Sequence, residues 1–111
     1  MSGFSPLVRE LILTRDGWRC VLCNSGSEQI HHRRPRGMGG TKRPETNGAS
    51  NGVVLCGSGT TGCHSEVESD RAEYLAMGFL VLQRQDPRST PILIRGKWVL
   101  LTEDGGTSPC P

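Results

Sequence analysis

The chain is poor in the material from which a self-sufficient core is made: five of its 111 residues are Phe, Tyr or Trp, and 34% are hydrophobic. Folding fixes roughly 1–2 kcal/mol of backbone entropy per residue. A chain this short has limited apolar surface to set against that cost, so a covalent or metal staple is expected. No apolar run approaches the ~18 residues of a membrane-spanning helix, which excludes a membrane partner of that kind. The opening Met1-Ser2-Gly3-Phe4-Ser5-Pro6 lacks a basic segment followed by an apolar one, so the expectation is a cytoplasmic protein without a secretory signal. An excess of one charge is missing too: 13 Lys and Arg stand against 11 Asp and Glu. Low net charge with regular Leu, Ile and Val argues against wholesale disorder. The length accommodates one domain, and no internal repeat is evident. Glycine is plentiful, at 15 residues, with seven prolines.

Five cysteines are present, at 20, 23, 56, 63 and 110. A disulfide framework would suit a small secreted chain, but the count is odd and Cys20-Val-Leu-Cys23 is a C-x2-C knuckle. Such a knuckle brings two thiolates to one ion while nearby backbone N–H groups point at the sulfurs. Cys56 and Cys63 form a second pair, spaced more widely than usual, with Gly57, Gly59 and Gly62 to let the loop fold back. The four match an all-cysteine structural zinc site, favoured over disulfides or free thiols. Cys110, in the Gly-rich tail, is expected to be a bystander.

The coarse reading is α+β. Ser5-Pro6 is an N-cap and first-turn signal, Leu7, Val8, Leu11 and Ile12 recur at helical spacing to about Arg15, and Asp16-Gly17 ends the helix. Trp18 and Val21 are expected beside the zinc. Val53-Val54-Leu55 reads as a strand, and His64 to about Met77 as one helix stopped by Gly78. Phe79–Leu82, Ile92–Ile94 and Lys97–Leu101 read as further strands, the last two joined by a turn at Arg95-Gly96. The expected division is 1–78 with helix and knuckles, 79–104 as a β extension, and 105–111 as a flexible tail.

Charge is unevenly placed. Residues 1–43 hold eight Lys/Arg and three Asp/Glu, whereas residues 44–111 hold five and eight. Arg33, Arg34, Arg36, Lys42 and Arg43 share one acid-free, Gly/Pro-rich loop. Such a run is often merely a solvated face; beside two histidines it is read as a phosphate-contacting, DNA-binding segment, with Arg33 or Arg34 as a bidentate clamp. All three histidines interleave with the cysteines: His31-His32, then Asn51, then Cys63-His64. Glu68 lies four residues after His64, on the same helical face, so the pair can give two ligands to one ion.

From Arg15 to Glu73 these residues resemble the HNH endonuclease family, most closely the HNH proteins of tailed bacteriophages and prophages. The likeness rests on Cys20-Val-Leu-Cys23, His31-His32-Arg33, Gly39-Gly40, Asn51 before Val53-Val54-Leu55-Cys56, and Cys63-His64. It implies a small ββα-metal (His-Me finger) fold stapled by zinc, with an N-terminal helix and a short C-terminal β extension. It implies a metal-dependent DNA endonuclease acting on double-stranded DNA, with the terminase large subunit and portal of a packaging motor as partners. By the same resemblance His31 and His64 are ligands of the catalytic ion, His32 is the general base, and Asn51 holds the two β segments so that the base is correctly turned. Glu68 stands where the family often has a histidine; a carboxylate is a harder donor and favours Mg²⁺ or Mn²⁺, with Zn²⁺ or Ni²⁺ as alternatives. Two other classes remain open: a non-catalytic zinc-stapled DNA-binding module, and a packaging accessory docking through the strands around Trp98. Exposure of Trp98 favours the accessory, and burial in the core opposes it.

Overall fold

Ser5 starts the first helix as the sequence leads one to expect: its Oγ accepts the Val8 N–H at 3.2 Å and Pro6 opens α1, Pro6–Asp16. Gly17, in the left-handed conformation, closes it by donating to the Leu13 and Thr14 carbonyls. The computed structural model describes residues 3–35, 44–58 and 60–110, with residues 44 and 45 described by their backbone alone. Strand β1, Ile30–His32, pairs antiparallel with β2, Gly52–Val54, in the register Ile30 to Val54, His31 to Val53 and His32 to Gly52. Two short 3₁₀ turns, Pro44–Asn47 and Ala49–Asn51, lead into β2. Helix α2, Gly62–Ser69, follows it.

Side chains alternate across a strand, and β2 uses both faces. Val54 joins Ile12, Leu13 and Ala49 in a cluster under α1, with Phe4, Val8 and Ile30 packed at its margin. Val53 and Leu55 join the larger cluster with Cys20, Val21, Val67, Tyr74, Phe79, Leu80, Ile92 and Leu101. The wall between the two clusters is the strand pair that carries the histidines.

The single helix expected over residues 64–77 is two. Helix α2 begins earlier, at Gly62, and the chain breaks at Asp70 (φ −118°, ψ 61°) before α3, Arg71–Ala76. Ser69 and Asp70 favour helix ends over helix interiors because their side chains compete for backbone partners. The break turns Tyr74 edge-on against Phe79, with ring centroids 5.9 Å apart.

Residues 79–82 are not a strand. Phe79, Leu80 and Val81 are buried, but their N–H groups go to the Tyr74 carbonyl and, for Val81, to the Arg33 carbonyl. The apolar run reflects burial rather than sheet pairing, two things that a short run does not separate. Strands β3, Ile92–Ile94, and β4, Lys97–Leu101, form as expected around Arg95 and Gly96, both at positive φ, as a tight hairpin turn requires. The tail expected to be flexible supplies a third strand, β5, Thr107–Pro109, paired along Val99–Leu101 of β4. Pro109 lies in an edge strand, where a missing N–H is tolerated. Trp98 is 47% exposed on this sheet. Among the described residues no helix is long and apolar enough to cross a membrane.

Candidate active site and metal centre

The Sγ atoms of Cys20, Cys23, Cys56 and Cys63 all lie within 4.8 Å of one another. A tetrahedral ion with Zn–S bonds near 2.3 Å needs sulfurs about 3.8 Å apart, so four thiolates are placed to bind one metal ion. Both pairs present the expected N–H groups: Cys23 N–H points at Cys20 Sγ (3.5 Å) and Cys63 N–H at Cys56 Sγ (3.4 Å). The wider second loop achieves this because Gly57 sits at φ +85°, where a Cβ would collide with the Thr61 carbonyl. Hydrogen bonds from Ser25 draw the Cys23 thiol down to about 6, with smaller contributions from Cys56 and Cys20. Burial, reinforced by hydrogen bonds with the other cysteines, pushes Cys63 up. Crowded sulfurs of this kind ionise together only around a cation. Cys110 stands outside the cluster. Val21 is buried beside it, whereas Trp18, expected to pack there, is 42% exposed.

A second donor set includes His64, the residue after Cys63. One ligand atom each from His31, His64 and Glu68 falls within 4.8 Å of the others, and the two rings meet edge-on at 5.0 Å. The His64 N–H donates to the Cys56 carbonyl, so the fold-back that gathers the sulfurs also begins the helix that presents His64 and Glu68. His31 Nε2 is 2.8 Å from the Phe79 carbonyl. A carbonyl only accepts, so Nε2 carries the proton and Nδ1 carries the lone pair. A histidine ligand donating its other N–H to a backbone carbonyl is the usual outer support of a metal site. Burial holds the His31 pKa down at about 4, which keeps the imidazole neutral and able to donate at ordinary pH. Arg71 Nη1 bonds Glu68 Oε2 at 2.9 Å at the edge of the set.

His32, the next residue, turns to the opposite face of β1. Its ring stacks on Phe4 (centroids 4.1 Å, planes 13° apart) and its Nε2 lies 3.0 Å from Asn47 Oδ1. Asn51 is fully buried. Its Oδ1 accepts the Arg34 N–H at 2.7 Å, and its Nδ2 donates to the Arg34 and Thr46 carbonyls at 3.0 and 2.8 Å. Asn51 thus ties the chain just after β1 to the turn that carries Asn47. Sequence reasoning missed Phe4 and Asn47, because neither belongs to a spacing pattern.

The phosphate clamp expected of Arg33 or Arg34 is corrected. Arg33 is 0% exposed and donates to the carbonyls of Gly78, Ser50, Pro87 and Thr90. Burial lowers its pKa only to about 9, so it remains charged. Arg34 is 3% exposed and donates to the Gln85 carbonyl and Thr46 Oγ1. Both guanidiniums brace the interior in place of a second hydrophobic layer. Arg36, Lys42 and Arg43 lie outside the described residues. A third internal arginine has no signal in the sequence: Arg15 pairs with Asp16 at 2.8 Å and donates to the carbonyls of Ala49 and Gly52, on either side of Asn51.

No family model, curated protein or solved structure matches the chain.

Proposed function

We propose that the protein is a metal-dependent DNA endonuclease of the HNH type, built on a ββα-metal core of β1, β2 and α2 and stapled by zinc at its four cysteines. The observation that carries this reading is the convergence of His31 from β1 with His64 and Glu68 from α2 on one point; His32 follows His31 on β1, its ring held on the other face by Phe4 and Asn47. The donor chemistry fits a divalent cation: two imidazoles, one already supported through its outer N–H, and one carboxylate that brings Mg²⁺ or Mn²⁺ into range. When bound, such an ion stabilises the charge that grows on the phosphate and on the leaving 3′ oxygen.

The chain's own residues supply the remainder. His32 donates through Nε2 to Asn47, so its Nδ1 is the basic atom that takes a proton from water. The water oxygen forms a bond to phosphorus as the bond from phosphorus to the 3′ oxygen breaks, and solvent protonates the departing alkoxide. The products carry 5′-phosphate and 3′-hydroxyl ends. Asn51 keeps β1 and the Asn47 turn in fixed relation throughout. Contact with the DNA backbone falls to Arg36, Lys42 and Arg43, since Arg33 and Arg34 are internal.

The test is plasmid cleavage with Mg²⁺ or Mn²⁺, repeated with EDTA and with His32→Ala at unchanged zinc content. Metal-dependent nicking that His32→Ala abolishes is expected; an equally fast His32→Ala protein overturns the assignment of the base. The exposure of Trp98 favours a second, compatible reading, in which the β3–β5 sheet docks the enzyme on a DNA-packaging motor of terminase and portal. Trp98→Ala would then lose motor association while retaining plasmid cleavage.

A further inference from the structure

We propose that Phe4 and Asn47 are positioning residues for His32, Phe4 fixing the plane of the ring and Asn47 fixing its tautomer. What the ring then does rests on the nuclease reading; that it is held in this way does not. The stack at 4.1 Å and 13° leaves the imidazole little freedom to tilt. The amide oxygen of Asn47 at 3.0 Å accepts only, so it stabilises the Nε2–H tautomer and places the lone pair on Nδ1. An imidazole in the wrong tautomer presents a proton where a base is required.

The surroundings are built for both contacts. His32 faces Gly52 across the β1–β2 register, and a Cβ at Gly52 would come within 2.9 Å of Phe4 Cζ as well as meeting Ile12. The missing side chain is what seats the Phe4 ring beside His32. Phe4 also packs against the Ile12, Leu13, Ala49 and Val54 cluster, immediately before the Ser5 cap of α1. Asn47 ends the Pro44–Asn47 turn, and Asn51 grips that turn through the Thr46 carbonyl. Asn51 therefore acts on His32 through Asn47, and the segment just before α1 is brought into the site from outside the strand–strand–helix unit.

The experiment uses the full zinc-loaded chain with ¹⁵N-labelled histidine, at about pH 8.5, where an ordinary imidazole is neutral. Long-range proton–nitrogen correlation should show His32 as the Nε2–H tautomer, with its ring protons shifted upfield by Phe4. Phe4→Leu, which keeps the apolar seat, should remove the upfield shift. Asn47→Ala should produce mixed tautomers, and Asn47→Asp, which restores an acceptor, should recover Nε2–H. In cleavage assays Phe4→Leu and Asn47→Ala should lower kcat about 10- to 100-fold with little change in KM for DNA, and Asn47→Asp should recover most of the loss.

Unchanged tautomer and ring shifts in Phe4→Leu and Asn47→Ala overturn the proposal, whatever the cleavage rates. Changed spectra with undiminished kcat, in a protein that His32→Ala inactivates, overturn the functional part of it. Changed spectra in a chain whose wild type cleaves no DNA support the positioning and overturn the nuclease reading instead.

Discussion

Asn51 and Arg34 are bonded in both directions, the Arg34 N–H donating to Asn51 Oδ1 at 2.7 Å and Asn51 Nδ2 returning to the Arg34 carbonyl at 3.0 Å. The pair mimics one more rung of antiparallel pairing where β1 has already ended, and a third bond to the Thr46 carbonyl anchors the turn beyond. All of this is buried. Asn51→Asp keeps the acceptor, removes both donors and adds a charge. Each buried group left without a partner costs about 1–3 kcal/mol. Asn51→Asp should therefore lower unfolding stability by several kcal/mol in a urea titration. Neighbouring Ser50 is the contrast: its buried Oγ has no partner among the described residues, so Ser50→Ala should be neutral or slightly stabilising.

Arg33 and the cations that follow it in sequence should separate cleanly by experiment. Arg33→Met leaves the carbonyls of Gly78, Ser50, Pro87 and Thr90 without their shared donor. Each buried carbonyl left without a donor costs about 1–3 kcal/mol, and thermal or urea unfolding should show the loss. The triple variant Arg36→Ala, Lys42→Ala and Arg43→Ala addresses the proposed phosphate contacts. It should flatten the dependence of DNA affinity on salt, by about 0.9 in slope for each phosphate that is no longer neutralised.

The cysteine cluster makes a prediction with a definite sign in pH. Cys23, drawn down to about 6, offers a thiolate at neutral pH, while Cys63, pushed up, keeps its proton until an incoming ion displaces it to solvent. Zinc binding to the metal-free chain should therefore release protons, and affinity should fall steadily as pH is lowered. Metal analysis should find one zinc per chain at this site. Cys23→Ser should lose the zinc and the fold together, whereas Cys110→Ser should change neither. A folded, zinc-free Cys23→Ser protein would remove the staple.

How much of this is legible in the sequence depends on whether a residue's partner lies nearby along the chain. The α1 caps, the C-x2-C knuckle and the Arg95-Gly96 turn are local, and each forms where its residues stand. His31, His64 and Glu68 are also marked out, since a knuckle, a helical i,i+4 step and a histidine pair are visible patterns. Arg33 and Arg34 mislead because a basic run looks alike whether it faces phosphate or backbone carbonyls. Among the described residues their partners, from residue 46 to residue 90, include carbonyl oxygens and a threonine hydroxyl that no composition reveals. Phe4, Asn47 and the Arg15–Asp16 pair are invisible for the same reason: each acts through a contact made by the fold. With so few aromatics, buried arginines take over part of the bracing that a larger apolar core would give.

Glu68 is where ion preference is expected to be decided. Two imidazoles and a carboxylate accept Mg²⁺ or Mn²⁺, whereas three imidazoles favour Zn²⁺ or Ni²⁺. Glu68→His keeps three donors at the point shared with His31 and His64 and gives up the ion pair with Arg71, an exposed pair of little energetic weight. Plasmid cleavage by Glu68→His should lose most of its Mg²⁺-supported rate and retain activity with Ni²⁺ or Zn²⁺. Glu68→Gln, a weaker donor, should be slow with every ion. Undiminished Mg²⁺-supported cleavage in both variants would remove Glu68 from the ion's coordination and leave two histidines, too few to hold Mg²⁺ against water.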